Sequence, residues 1–393
     1  MATQSNVWQV PASILLAPVV TLTLLTGVAK IALTPLIPSL APRLADVTAW
    51  CSGSMRWTVG QLARLPAADV PLPSPPIWLA ALCWMTLALA VVPWKYPSAR
   101  ILTILACIAS YVALLAGPYA NPPASVRPGT GELRMTLLAV GAGQTALVEP
   151  PGGKVSLFDV GSTSLTDLTG NVVAPALRAF GHTSIDTITL SHANLDHYSG
   201  ASDVTASYGV SNVLVGPGFE ALARQSGTGE QLLRELRQAE RPPRVVHVGD
   251  SVPLGSQTTI DVLSPPTGDA PFVDNDGSLV LRLTHAGTRI LFTGDIQDVA
   301  MRELLKHPEQ LQADVLIAPH HGSLETTTQQ FIEAVHPKLI LASNDRTLTG
   351  KQRDFDALCA KRGWKLLRTH TSGAISIRIE SDGTWTVEPF VKK

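Results

Sequence analysis

The densest chemistry in the sequence lies in Ser191-His192-Ala193-Asn194-Leu195-Asp196-His197. His192, Asp196 and His197 offer two imidazoles and a carboxylate within six residues. Such groups suit zinc, manganese or iron, and a tight turn directs them to one side. Two further segments supply what that site lacks. Asp295 ends the apolar run LFTGD, and His320 and His321 follow another in LIAPHHGS. Each of the three groups comes after a β-like run, so each lies where a strand ends, a common place for a polar site. A lone strand-end histidine is usually a surface or hydrogen-bonded residue, and a lone Thr-Gly-Asp is usually a turn. Three such ends in one chain point to a metal cage.

The elements that must position these groups follow from residue 131 onward. MTLLAV, TALVEP and KVSLFDVG read as strands, VVAPALRAFG as a helix and SIDTITLSH as a strand ending in histidine. Residues 219–239 read as one polar helix with apolar residues at helical spacing. SLVLRLTHAGTRILFTGD reads as strand, turn and strand; QDVAMRELLKH as a helix; ADVLIAPHHGS as a strand. FIEAVHP, KLILAS, RDFDALCAKRG and KLLRTHTSGAISIRI continue the alternation, which defines an α/β domain.

The region before it is different. Residues 1–120 hold only eight charged side chains, six basic and two acidic, and six of the eight Trp. All ten His lie after residue 180. Residues 14–37 are apolar apart from Lys30, long enough to cross a bilayer core of about 30 Å. Residues 77–93 and 101–117 are expected to be two further spans, and residues 41–66 an amphipathic helix at the membrane interface. The loop 94–100 carries Lys95 and Arg100 and no acid. The positive-inside rule places it in the cytoplasm and the rest of the chain after residue 120 outside. Residues 118–130 are rich in Pro, Gly and Ala, so 121–130 reads as a linker between a membrane region at 1–120 and a domain at 131–393.

Composition excludes several classes. With 45% hydrophobic residues and no long charge block, the chain is not disordered. Cys51, Cys83, Cys107 and Cys359 have neither disulfide-framework nor metal spacing. A net charge of −1 excludes a strongly basic nucleic-acid binder, so any polyanion must be held locally or by metal. The best local patch lies in residues 346–368, where Lys351, Arg353 and Arg368 are the candidates for contacting a DNA backbone. A solvated helix face is the plainer reading of the same charges.

The motifs resemble those of the metallo-β-lactamase superfamily and, more narrowly, the ComEC family of bacterial DNA-uptake proteins. LSHANLDHYSG (190–200), NDGSLVLRL (275–283), LFTGD (291–295), PHHGS (319–323) and RTHTSGAI (368–375) carry the resemblance. It implies transmembrane helices followed by an αββα metallo-β-lactamase-like sandwich, set in the bacterial cytoplasmic membrane. It also implies one or two divalent ions, Zn or Mn, in two subsites. His192 and Asn194 would form one; Asp196, His197 and His320 or His321 the other, with Asp295 bridging. Asp196 and Asp295 would be catalytic, and Asp159 would orient the ligand histidines. The implied substrate is DNA, single-stranded.

Departures from the family pattern are local. Asn194 stands where superfamily hydrolases have His and ComEC proteins usually have Asp. The family's first strand reads Leu-Asp-Val-Gly-Gln-Gly-Asp; here Ala139 and Gln144 replace its two carboxylates. The resemblance begins partway through the family's membrane domain. The expectation is a truncated paralogue, or one piece of a split system, acting in several copies or with a partner chain that supplies the missing helices. Three functions fit: a membrane-anchored nuclease, a non-catalytic DNA-uptake component, and a membrane-tethered metallohydrolase with another substrate.

Overall fold

The structure is a computed structural model that describes residues 4–5, 9–62, 70–71, 81–82, 84–86, 89, 96–120, 128–152, 155–255, 257–266 and 274–391. It divides into two compact units, Met1–Ala124 and Ser125–Lys393.

In the first unit α1 (Gln9–Leu33) and α2 (Ala41–Leu62) are joined by a short turn at Pro38–Leu40. Leu16–Leu33 has a mean hydropathy of 1.9 and, among the described residues, is the one stretch long and apolar enough to cross a bilayer. Its Leu24, Leu25, Val28 and Ile31 are all exposed, as a lipid-facing surface would be. The helix expected at 41–66 forms as α2, but it runs beside α1, where the Thr26 and Thr48 hydroxyls meet at 2.9 Å. A further helix among the described residues, α3 (Pro97–Ala120), contains the shorter apolar stretch Pro97–Ser110. The span expected at 77–93 and the linker at 121–130 fall largely outside the described residues.

The second unit is four layers: helices, sheet, sheet, helices. The first sheet contains β1 (Leu133–Leu137), β2 (Thr145–Glu149), β3 (Ser156–Val160), β4 (Thr187–Leu190), β5 (Asn212–Val215) and β6 (Arg244–Val245). The second contains β7 (Ser251–Pro253), β8 (Thr258–Ser264), β9 (Val280–His285), β10 (Thr288–Phe292), β11 (Val315–Ile317), β12 (Leu339–Ala342) and β13 (Leu366–Arg368). The last two strands, β14 (Ile375–Ile379) and β15 (Trp385–Pro389), return to the first sheet and pair along β1, with Ile375 opposite Leu137. The sheet orders are β15-β14-β1-β2-β3-β4-β5-β6 and β13-β12-β11-β10-β9-β8-β7.

Each sheet begins antiparallel and ends parallel, and the change falls at matching places. In the first sheet β3 and β4 are the first parallel pair; in the second, β10 and β11. The strands β1 to β4 are buried along their whole length, as apolar strands covered on both faces must be. Between the sheets lies a core that includes Leu133, Met135, Leu283, Ile290, Val315 and Ile377. At its upper end Phe158 stacks on Phe292, with centroids 4.4 Å apart.

The outer helices bury one apolar stripe each. Leu177, Val204, Leu232 and Leu236 cover the first sheet, and Met301, Phe331, Val335 and Phe355 cover the second. The single helix expected over 219–239 is two, α4 (Phe219–Ala223) and α5 (Gly227–Gln238). The break has a local cause: the Ser226 hydroxyl accepts from Gly229 N at 3.0 Å and starts a new helix as its N-cap.

Candidate metal centre

The carboxyl ends of four strands converge. β3 delivers Asp159; β4 leads into His192 and a single helical turn, α6 (Leu195–Tyr198), that carries Asp196 and His197. β10 leads to Asp295, and β11 to His320 and His321. One ligand atom from each of Asp196, His197, Asp295 and His321 lies within 4.8 Å of the other three. His197 Nε2 is 3.2 Å from Asp295 Oδ1 and 3.8 Å from Asp196 Oδ2. His321 Nε2 is 3.3 Å from Asp196 Oδ2 and 3.5 Å from Asp295 Oδ2.

The backbone is shaped to make this convergence. A Cβ on Gly161 would lie 2.1 Å from the carbonyl carbon of Asp196 and 2.2 Å from His197 N, so only glycine lets α6 sit against β3. His320 and His321 both have positive φ, 49° and 56°, in a tight turn after β11. That turn is held from behind. The His321 carbonyl accepts from Asn344 Nδ2 at 2.6 Å and Arg368 Nη1 at 3.2 Å.

Charge within the cluster is mutually compensated. Burial opposes ionisation of Asp295, but the imidazoles of His321 and His197 outweigh it and hold its carboxyl well below the usual range. Burial likewise opposes the charged form of Asp196, and the hydrogen bond from His321 with the charge of His197 keeps its carboxyl low. For His197 burial favours the neutral ring, yet Asp295 and Asp159 raise its affinity for a proton well above the ordinary value. Burial, then the neighbouring His197, lower His192 to about 4.

Asp159 organises the histidines. Its Oδ2 is 2.8 Å from His197 Nδ1 and accepts from Gln144 Nε2 and the Ser191 hydroxyl, both at 3.0 Å; its Oδ1 accepts from Ser191 N at 2.7 Å. A carboxylate bonded to Nδ1 keeps a ring proton there, so Nε2, which faces the cluster, is the nitrogen that would offer its lone pair once a metal displaced its proton. Gln144, which replaces a family carboxylate, therefore serves Asp159. Ser191 has one hydroxyl proton, given to Asp159, so the contact between His192 Nδ1 and Ser191 Oγ at 3.0 Å is donated by the histidine.

A divalent ion fits this donor set. Two imidazoles and two carboxylates converge, and His197 Nε2 and Asp295 Oδ1 are buried and face each other at 3.2 Å without a well-aligned hydrogen bond among the described residues. The remaining expected residues are placed differently. His320 lies at the rim, with Nε2 3.9 Å from Asp295 and Nδ1 3.2 Å from Gln297 Nε2. Asn194 is turned to Asn275, donating from Nδ2 to Oδ1 at 2.8 Å. Lys351 pairs with Glu325 at 2.7 Å, and Arg353 donates to the Leu348 carbonyl at 2.7 Å.

Arg368 requires a correction. Expected on a DNA-facing patch, it is 4% exposed, and its guanidinium is spent on Asp356, Asn344 and the carbonyls of His321, Gly322 and Gln352. The planar fork of donors suits a cluster of inward carbonyls, which a sequence of scattered basic residues does not reveal. Asn275, Asn344 and Ser191 are also part of the arrangement. Ser191 had a sequence signal in its place beside His192 at the end of β4, and Asn275 in its place at the head of the NDGSLVLRL motif; Asn344 had none.

The comparisons with known proteins agree with this construction. Residues 138–342 match the model of the metallo-beta-lactamase superfamily, and the chain belongs to that superfamily. Residues 2–97 match the model of competence proteins. The pairing of these two regions is that of the ComEC family, to which the motifs also pointed. ComE operon protein 3 of Bacillus subtilis (strain 168) is 27% identical over 277 residues, which cover 66% of this chain and 35% of that protein. Competence protein ComA of Neisseria gonorrhoeae is 26% identical over 294 residues, covering 71% of this chain and 38% of that protein. The chain thus spans just over a third of the length of these curated relatives. Among solved structures, the metallo-beta-lactamase fold protein YhfI from Bacillus subtilis aligns at 14% identity with a TM-score of 0.39, covering 65% of this chain and 99% of that one.

Proposed function

We propose that this chain is a membrane-anchored, metal-dependent phosphodiesterase that cuts single-stranded DNA during its uptake, with the hydrolase domain outside the cytoplasm. The observation that carries this reading is the four-donor cluster of Asp196, His197, Asp295 and His321 on a chain whose first region matches competence proteins. These four residues would hold Zn or Mn. Such an ion supplies Lewis acidity toward a phosphoryl oxygen and toward water.

The protein's own residues do the rest. Asp159 fixes His197 in the tautomer whose Nε2 faces the cluster. The side chain of Asp196 is 28% exposed, as is that of His320, so the centre opens to solvent on this side. Asp295, with its side chain 4% exposed, forms the floor. A phosphodiester would approach past Asp196 and His320, and His320 Nε2 is then a rim group able to give a proton to a departing oxygen.

A second reading is a DNA-uptake component without turnover. It is favoured by the neutral amides Asn194 and Gln144 at positions where the family carries carboxylates. The full chain in detergent, given labelled single-stranded DNA with Mn²⁺, Zn²⁺ or chelator, separates the two. Metal-dependent cleavage that Asp196→Ala abolishes supports the hydrolase. A folded, metal-loaded chain that leaves the DNA intact supports the non-catalytic component.

A further inference from the structure

The strand directions gather a second surface at the same end of the domain as the metal centre. β12 and β13 run parallel to β11, so the residues that follow them emerge at the end that carries His320 and His321. After β12 come Asn344, Asp345 and Arg346; after β13 comes a helical turn, Thr369–Ser372. β15 brings Phe390 to that end too. Pro389 pairs with Ile375, which lies opposite Leu137 at the carboxyl end of β1, and β1 points the same way as β3. Hydrogen bonds join these pieces into one rim. Phe390 N donates to the Ala374 carbonyl and Val391 N to that of Ser372, both at 2.8 Å. Asn344 N donates to the Thr369 hydroxyl at 3.0 Å, and Asn344 Nδ2 holds the carbonyl of the cluster residue His321 at 2.6 Å.

Two side chains on this rim are left to solvent. Phe390 is 77% exposed, and it is the one exposed aromatic among the described residues of the second unit. Its ring is backed by Gly373, where an added Cβ would lie 3.4 Å from Cδ1. Arg346 is exposed as well. The neighbouring Asp345 already accepts at both oxygens, from Arg346 N at 2.6 Å and from the Ser164 hydroxyl at 2.9 Å. The Arg346 guanidinium itself makes no hydrogen bond or ion pair among the described residues. That separates it from the rest of the basic stretch at 346–368. Lys351, Arg353 and Arg368 are committed to protein acceptors, and Arg362 pairs with Glu333 at 3.2 Å. Lys361, in the last turn of the helix Gly350–Arg362, and Lys365 precede β13, at the opposite end of the sheet.

We infer that Phe390 and Arg346 form a subsite for single-stranded DNA on the rim of the metal centre, Phe390 stacking on a base and Arg346 pairing with a backbone phosphate. The chemistry of the pair selects this ligand. A base offers its face to an aromatic side chain when the strand is unpaired, and the phosphate beside it calls for a cation with a free fork of donors. Stacking of this kind tolerates any base, so the subsite holds a strand without reading its sequence. The inference rests on the DNA substrate of the proposed function and is independent of whether the strand is cut.

The test is fluorescence anisotropy with labelled oligothymidine and, beside it, an abasic oligonucleotide of equal length, which keeps the phosphates and lacks the bases. The full chain in detergent is used, with chelator present so that both strands stay intact. Phe390→Ala should weaken oligothymidine binding about tenfold and leave the abasic strand unchanged, and Phe390→Trp should bind as the wild type does. Arg346→Ala should weaken both strands and reduce the slope of log affinity against log salt by about 0.7, while Arg346→Lys keeps the slope. Unfolding temperature and bound Zn²⁺ should match the wild type in all four variants. A wild type that binds oligothymidine, with Phe390→Ala and Arg346→Ala binding it equally well, would overturn the inference and leave the DNA substrate standing. So would a Phe390→Ala loss that is the same for both strands, which would make the ring structural. A Phe390→Ala chain that keeps oligothymidine but loses anionic phospholipid vesicles would assign the ring to a membrane surface and overturn the inference too. A wild type that binds no single-stranded DNA overturns both this inference and the proposed substrate. A chain that shows these dependences and leaves DNA intact with Mn²⁺ removes the nuclease reading and supports this one.

Discussion

Asp159 meets His197 at 2.8 Å from a backbone with φ of 54°, and the same carboxylate accepts three further hydrogen bonds from Gln144 and Ser191. Every donor around it points inward. The carboxylate is therefore a fully used acceptor, and its purpose is to set the direction of an imidazole it does not share with solvent.

Asp159→Asn should reveal that purpose. Asparagine tolerates the left-handed backbone, so the turn survives. Either orientation of its amide, however, opposes one N–H to another: to His197 and Gln144, or to Ser191 N. The expected result is metal affinity lowered about 10- to 100-fold with the fold retained. Competition with a chromophoric chelator measures it.

Arg368→Lys should act on stability and not on DNA affinity. Lysine cannot reach the carbonyls of His321, Gly322 and Gln352 together, as the guanidinium does. Leaving buried carbonyls without donors costs about 1–3 kcal/mol. Thermal unfolding should show the loss. The slope of log affinity for DNA against log salt should stay that of the wild type, because no phosphate contact is removed.

Gly161→Ala should be among the most damaging small changes. The added carbon would strike the Asp196 carbonyl carbon at 2.1 Å and its oxygen at 2.2 Å, both backbone atoms. Either α6 shifts or β3 does, at a cost of about 3 kcal/mol. Since α6 carries Asp196 and His197, ion binding should vanish with the stability, as calorimetry with and without Zn²⁺ would show.

Ion binding should stabilise the domain by simple linkage. At a free concentration of about 100 times Kd the gain is about 2.7 kcal/mol. Chelator should remove the corresponding rise in melting temperature. Asp295→Asn should be insensitive to both, because it deletes one of the four donors while preserving side-chain volume. A variant that still responds to Zn²⁺ would show that Asp295 is not a ligand.

The strand-end residues were readable from sequence because the pattern is local. An apolar run followed within a few residues by His or Asp marks His192, Asp295 and His321 without knowledge of the fold. The superfamily's αββα layering was readable through the same motifs. Other features depend on distance. Asn194 meets Asn275 across 81 residues, and no spacing rule links two amides so far apart. Arg368 sits in sequence among lysines and arginines of an exposed helix and its flanks, yet its strand turns it inward. The return of β14 to the edge of β1 is equally invisible, since a run such as ISIRI states only that a strand forms, not where it pairs. The division of 219–239 was legible in principle: Ser226 followed by glycines is a capping signal that the apolar spacing masked.

Phe158 and Phe292 stack where the two sheets meet, one residue before Asp159 and three before Asp295. Asp159, Asp196 and His197 hang from one sheet; Asp295 and His321 hang from the other. Neither layer owns a complete set of donors. The strands of the first sheet that precede the second carry one carboxylate and one imidazole of the four, Asp196 and His197, too few to retain an ion. A complete set of donors thus exists only once the two sheets have packed together, so an ion held by all four would report that this interface has closed.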